Sequence, residues 1–279
     1  MSITRGPVWL FVPGDRPERF DRASDSGADQ VICDLEDAVA DPAKVQARSH
    51  VVAWLTRDRS AWVRVNAPGS RWHQDDLIAL TGCPGLVGVI VPKVESDADL
   101  ERALAYLAVP VAPLVESARG VENLRSILAV ERVERLLLGA IDLAVDVDCA
   151  EESDVMTHVR SRMVLASRAA GKQAPVDGVT RALRDQPATL ADAARARREG
   201  FSGKLAIHPA QVVPIRAVFT PSADDVTWAA TVLASVEVSE HGALAAAGDL
   251  VDAPVIERAR RILAAVQTPN SPDREGHQA

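Results

Sequence analysis

Apolar residues recur along the chain in short runs, and a stretch with helical spacing follows each one. The runs are VWLFVP (8–13), QVICDLE (30–36), AWVRVN (61–66), LVGVIVPK (86–93), VPVAPLVE (109–116), VERLLLGA (133–140), APVDGV (174–179) and GKLAIH (203–208). The fourth, fifth and sixth are almost continuously apolar, as expected of parallel strands buried on both faces. Segments such as PERFDRASDSGA, AKVQARSHVVAWL, DADLERALAYLA and VENLRSILAVE lie between them with apolar positions three and four apart. Eight strands alternating with helices predict an α/β fold, a (β/α)8 TIM barrel, over residues 1–220. An open doubly wound sheet also alternates, but no G-x-G-x-x-G turn follows the first run. Residues 221–266 read as a C-terminal helical extension or lid, with one helix over 222–243 ending at a glycine and another beginning near Pro254. Residues 267–279 are polar and proline-bearing, which predicts a disordered tail.

Composition narrows the function classes. With 47% hydrophobic and 25% charged residues, the chain has the balance of an ordinary globular protein. A formal net charge of −8 argues against a nucleic-acid or anionic-membrane partner. No apolar run approaches the roughly 20 residues that span a bilayer, and VWLFV is too short for a secretory leader. Cys33, Cys83 and Cys149 are odd in number and lack metal-type spacing, so free thiols in a reducing cytoplasm are expected. Lysine is confined to Lys44, Lys93, Lys172 and Lys204, which leaves few candidates for Schiff-base chemistry.

A barrel enzyme sets its chemistry at the C-terminal ends of its strands. Those ends carry Asp34, Glu36 and Asp37 in DLED, Arg64 and Asn66 in RVN, then Lys93, Glu116, Asp142 and His208. Asp142 interrupts the greasy run RLLLGAIDLAVD, where an unpaired buried charge would cost several kcal/mol. Glu116 and Asp142 are predicted on adjacent strands, where two carboxylates repel unless they share a proton or a cation. Mg2+ suits such a site, because it takes one or two carboxylates and completes its shell with water and substrate oxygens. Helix capping is the competing account of both acids, with Glu116 also able to pair with Arg119. Arg64 is either a substrate clamp or a structural partner of the DLED acids. Asp34, Glu36 and Asp37 are expected to orient Arg64 or metal-bound water. His208 reads as a structural strand-end group, and Arg16 and Lys44 as ordinary loop or helix-start cations.

Eight segments together resemble the citrate lyase β-subunit-like branch of the HpcH/HpaI aldolase superfamily. They are LFVPGDRPERF (10–20), VICDLEDAV (31–39), VRVN (63–66), VPKVES (91–96), PLVESARG (113–120), LLLGAIDLA (136–144), GFSGKLAIHPAQV (200–212) and GALAAAGDLVDAP (242–254). The resemblance implies a Mg2+ site on Glu116 and Asp142, with Arg64 binding the substrate carboxylate or carbonyl. It implies a homotrimer or larger assembly in which Asp252, from LVDAP, closes over an active site as catalytic acid or base. The implied reaction is reversible carbon–carbon cleavage of a 3-hydroxyacyl-CoA such as citryl-CoA, malyl-CoA or citramalyl-CoA, giving acetyl-CoA and a 2-oxo acid. An acyl carrier protein is an additional partner on this reading. The chain departs from the family pattern at Ile141, where a glutamate usually precedes the metal aspartate, and in the loop VDCAEES that follows. Three rival functions stay open: a metal-dependent aldolase on free hydroxy-oxo acids, a Schiff-base aldolase using Lys93 or Lys204, and a non-catalytic thioester binder.

Overall fold

The computed structural model describes residues 6–238, 244–246 and 249–267. Eight parallel strands close into a barrel: β1 Val8–Pro13, β2 Gln30–Asp34, β3 Ala61–Arg64, β4 Leu86–Val91, β5 Val111–Val115, β6 Leu137–Leu138, β7 Val176–Asp177 and β8 Gly203–Ala206. Each pairs with the next, and β8 returns to β1 through Trp9 opposite Leu205. Every predicted run contains its strand. The sixth is much shorter than its run: the ladder begins only at Leu137, and beyond Gly139 the chain turns at once into the helix Ala140–Asp146.

Alternation along the strands decides what fills the barrel. Trp9, Ile32, Trp62, Ile90, Ala112, Leu114, Leu137, Val176 and Leu205 form its inner core. Trp9 and Trp62 meet with ring centroids 5.1 Å apart, and their indole N–H groups donate to Gly6 O and Gln30 Oε1. Gly88 leaves the room: a Cβ there would stand 2.4 Å from the Trp62 ring. Side chains two residues on share a face. One step toward the C-terminal mouth therefore points Phe11, Asp34, Arg64, Glu116 and the bare Gly139 inward. The core ends where the chemistry begins.

Residues of the opposite parity face the helices. There Lys204 Nζ donates to Asp177 Oδ2 at 2.8 Å and to Gly178 O at 2.7 Å. Arg160, from the helix Asp154–Ala169, lies 3.4 Å from Asp177 Oδ1, and Arg195, from the helix Gln186–Glu199, 3.9 Å from Oδ2. Burial alone would raise the Asp177 pKa, but Lys204, Arg160 and Arg195 outweigh it and hold the carboxyl below its usual range.

Residues Arg5–Arg216 form one compact unit, and the chain from Ala217 onward belongs to a second. Within the second, the helices Ala223–Val238 and Ala253–Gln267 pack through Ala229, Val232, Val251 and Ala259, beside an antiparallel pair β9 Leu244–Ala246 and β10 Asp249–Val251. Both predicted helices are present. The glycine stop expected for the first lies outside the described residues, as does the expected tail beyond Gln267. Among the described residues no helix is long and apolar enough to cross a membrane.

Two variants test this packing. Gly88→Ala overpacks the Trp62 ring and is expected to cost about 1–3 kcal/mol in urea unfolding. Asp177→Asn strands buried cations and is expected to cost about 3–5 kcal/mol near pH 7. Because the folded-state pKa lies below the unfolded 3.8, the Asp177 contribution is complete above that value and lost as pH falls through the lower folded one. The gap between wild type and Asp177→Asn should therefore close only in strong acid. A gap that already closes at pH 6 would contradict the assignment.

Candidate active site

The register of β2 against β3 sets Asp34 opposite Arg64. Arg64 donates from Nε to Asp34 Oδ1 at 2.8 Å and from Nη2 to Oδ2 at 2.6 Å, a bidentate fork. Its guanidinium also lies 4.8 Å from the Phe11 ring centroid. Arg64 Nη1 stands 3.2 Å from Glu36 Oε2 and 3.5 Å from Asp37 Oδ2. Burial opposes the charge, yet Asp34, Glu36 and Asp37 push the Arg64 pKa above its ordinary value. All three acids of DLED thus meet Arg64. These contacts are those of the structural-partner reading of Arg64.

Lys44 is not an ordinary helix-start cation. It is buried, and its ammonium donates to Leu35 O at 2.8 Å and Glu36 O at 2.7 Å, pinning the backbone that carries Glu36. Burial lowers its pKa, against the pull of Asp34 and Glu36. Lys93 follows β4 with φ +53°, and its Nζ lies 2.5 Å from Glu36 Oε1 and 3.4 Å from Asp37 Oδ1. Partial burial would lower the Lys93 pKa, but the Glu36 hydrogen bond and the charges of Glu36 and Asp37 carry it above the lysine range. A Schiff base needs a neutral amine. Lys93 is held as a cation, and Lys204 sits on the helix-facing side against Asp177, so neither fits that chemistry.

Glu116 follows β5, is 4% exposed, and has no hydrogen-bond partner on either carboxylate oxygen. Burial first, then the charges of Glu36 and Asp142, push its pKa up to about 8 against the pull of Arg64 and Lys93. Gly139 makes room for it: a Cβ there would lie 2.3 Å from Glu116 Cγ. Asp142 is neither buried nor at a strand end. It is exposed in the first turn of Ala140–Asp146, whose buried residues Ala140, Leu143 and Ala144 show helical spacing. The unpartnered buried carboxylate is therefore Glu116, and Asp142 is its exposed companion. Among the described residues no group of three or more His, Cys, Asp or Glu could hold a metal. A two-carboxylate Mg2+ site needs no third, and the two bare oxygens of a buried carboxylate fit a hard cation.

The remaining polar candidates each have partners of their own. Asn66 gives its amide and side-chain N–H to Asp76 Oδ2, and His73 Nδ1 lies 2.6 Å from Asn66 O. His208 Nδ1 accepts from the Ala210 amide, capping the short helix Pro209–Gln211, and burial together with Arg184 and Arg22 lowers its pKa. Arg16 is exposed near Asp15. Asp252 lies in the second unit, where Oδ1 accepts from the Val255 amide at 3.2 Å, an N-cap of Ala253–Gln267. Gly139, Phe11 and the burial of Lys44 had no part in the sequence reading. Phe11 alone was within its reach, through alternation with Trp9.

Comparison with known proteins agrees in outline. The HpcH/HpaI aldolase/citrate lyase family model matches residues 8–209, from β1 to just past β8. A citrate lyase subunit beta-like protein of Mycobacterium tuberculosis is 37% identical over 265 residues, covering 92% of this chain and 94% of that one. A (3S)-malyl-CoA thioesterase of Cereibacter sphaeroides is 34% identical, covering 91% and 92%. The structure of CitE from M. tuberculosis in complex with magnesium, acetoacetate and coenzyme A superposes with a TM-score of 0.82 at 36% identity, covering 93% and 97%. With the barrel, the strand-end acids and these matches together, the chain belongs to the HpcH/HpaI aldolase/citrate lyase family.

Proposed function

We propose that the protein is a magnesium-dependent carbon–carbon lyase. It cleaves a 3-hydroxyacyl-CoA such as citryl-CoA, malyl-CoA or citramalyl-CoA to acetyl-CoA and a 2-oxo acid. The observation that carries this reading is Glu116, a buried carboxylate with both oxygens bare, which feels the charges of Asp142 and of the rigidly held Arg64. The M. tuberculosis relative bound to magnesium, acetoacetate and coenzyme A supports the ligand classes.

Glu116 and Asp142 would hold Mg2+, which supplies Lewis-acid polarisation and a template for the 2-oxo acid's oxygens when bound. Arg64 presents a fixed guanidinium to the substrate, where charge develops as the bond between C2 and C3 breaks. That electron pair passes into the thioester enolate, and the 3-hydroxyl gives its proton to solvent water as it becomes the carbonyl of the 2-oxo acid. The proton that Asp252 delivers to the enolate is replaced from the same solvent. Asp252 is the acid that protonates the enolate carbon, and the base in the condensation direction. In a homotrimer or larger assembly a neighbouring chain supplies it. Asp34, Glu36 and Asp37 orient Arg64. An acyl carrier protein could present the thioester in place of CoA. The thioesterase relative favours a second reading, in which a malyl-type thioester is hydrolysed rather than cleaved.

Calorimetric titration of Mg2+ into metal-free protein with pyruvate or oxaloacetate present tests the site. Wild type should bind, and Glu116→Ala and Asp142→Ala should weaken binding by at least on the order of tenfold. Equal binding in all three proteins would remove the magnesium assignment. Gly139→Ala, which drives a methyl group into Glu116, should cost about 1–3 kcal/mol of stability and, in the folded protein, weaken Mg2+ by about tenfold or more. Product analysis separates the two readings: acetyl-CoA with a 2-oxo acid marks the lyase, free CoA with the hydroxy acid the thioesterase.

A further inference from the structure

Glu36 and Asp37 bridge the same two cations. Glu36 sets Oε1 2.5 Å from Lys93 Nζ and Oε2 3.2 Å from Arg64 Nη1. Asp37 sets Oδ1 3.4 Å from Lys93 Nζ and Oδ2 3.5 Å from the same Nη1. Lysine, glutamate, arginine and aspartate thus close a ring of alternating charge.

Lys93 joins the ring from a left-handed backbone, φ +53°, which costs any residue with a Cβ. Glycine would take that conformation freely, so a lysine there points to work for its ammonium. We infer that Lys93 is a positioning residue: it holds Glu36 and Asp37 on Arg64 and so fixes the guanidinium that meets the substrate. The identity of the reaction rests on the lyase reading; the ring does not.

The charges explain why one cation would not suffice. Arg64 already spends one edge on Asp34, and two further carboxylates crowd its Nη1. Without Lys93 those carboxylates repel each other with a single half-occupied guanidinium between them. Glu36 is buried and cannot hand its charge to water. It would swing away or pick up a proton, and the Nη1 edge of Arg64 would lose its stop while Asp34 still held the other. Lys93 is the reachable cation of the ring, its side chain 46% exposed against 11% for Arg64, so a neutral replacement fits without repacking.

The test uses full-length Lys93→Met, Lys93→Gly and Lys93→Arg, each examined by crystallography and steady-state kinetics on the acyl-CoA that wild type turns over. Lys93→Gly also relieves the backbone, so it folds even if Lys93→Met does not. In Lys93→Met and Lys93→Gly, Glu36 or Asp37 should leave Arg64 Nη1. Their kcat should fall on the order of 10–100-fold, with KM for the thioester changed less than about threefold. Lys93→Arg should recover part of kcat. The inference is overturned if both variants keep the two acids on Arg64, or if a folded variant keeps kcat within about twofold of wild type. A wild-type protein with no lyase turnover would remove the lyase reading instead, and the crystal structures alone would then decide the ring.

Discussion

Arg64 and Asp34 face each other because β2 and β3 pair in the register that puts them there, so the barrel's own hydrogen bonding sets a guanidinium against a carboxylate at its mouth. Two parallel N–H···O bonds fix the plane of the fork as well as its position. A pair this buried cannot lose one partner cheaply; the uncompensated charge costs about 3–5 kcal/mol. The rest of the site is arranged around that plane. Phe11 lies against the guanidinium, Glu36 and Asp37 meet its free edge, and Lys44 fastens the backbone that delivers Glu36. A flexible arginine has thereby become a rigid donor, which is what stabilising charge in a transition state requires.

The same constraint leaves a charge to be answered. Asp34, Glu36, Asp37, Glu116 and Asp142 bring five carboxylates to one mouth, and Arg64, Lys93 and the buried Lys44 bring three cations. Arg64 and Lys93 are consumed by the first three acids, and Lys44 by two backbone carbonyls. Glu116 has no hydrogen-bond partner among the described residues, and its side chain takes the room that Gly139 leaves. On the proposed reading a divalent cation would supply the missing charge.

Much of this was legible in the sequence, for a physical reason. Parallel strands buried on both faces write themselves as apolar runs, and the step of two along a strand carries Ile32 to Asp34, Trp62 to Arg64 and Leu114 to Glu116. Asp142 was misplaced because GAIDLA satisfies two patterns at once. It continues an apolar run, yet Ala140, Leu143 and Ala144 also have the spacing of a buried helix face. Gly139 decides between them by ending the strand. The left-handed backbone of Lys93 and the burial of Lys44 arise from tertiary neighbours and leave no local signal. Lys204 was misread although alternation with Leu205 places it outside the barrel. The ring of Glu36 and Asp37 required coordinates, since sequence neighbours do not announce which cations they share.

Two of the buried carboxylates in the barrel differ in a way that separates architecture from chemistry. On the helix-facing side, Asp177 has Lys204 on one oxygen and Arg160 near the other, and its pKa is lowered. Every demand of that carboxylate is met inside the protein, so the cluster ties β7 and β8 to the helices around them. On the inner side, Glu116 is buried to a similar degree with neither oxygen satisfied, and its pKa is raised. A fold selected for stability alone would pair or replace such a group, because an unsatisfied buried carboxylate is among the costlier features a core can contain. Its place at the end of the barrel where strands deliver chemistry is why the magnesium proposal rests on this residue and not on Asp177.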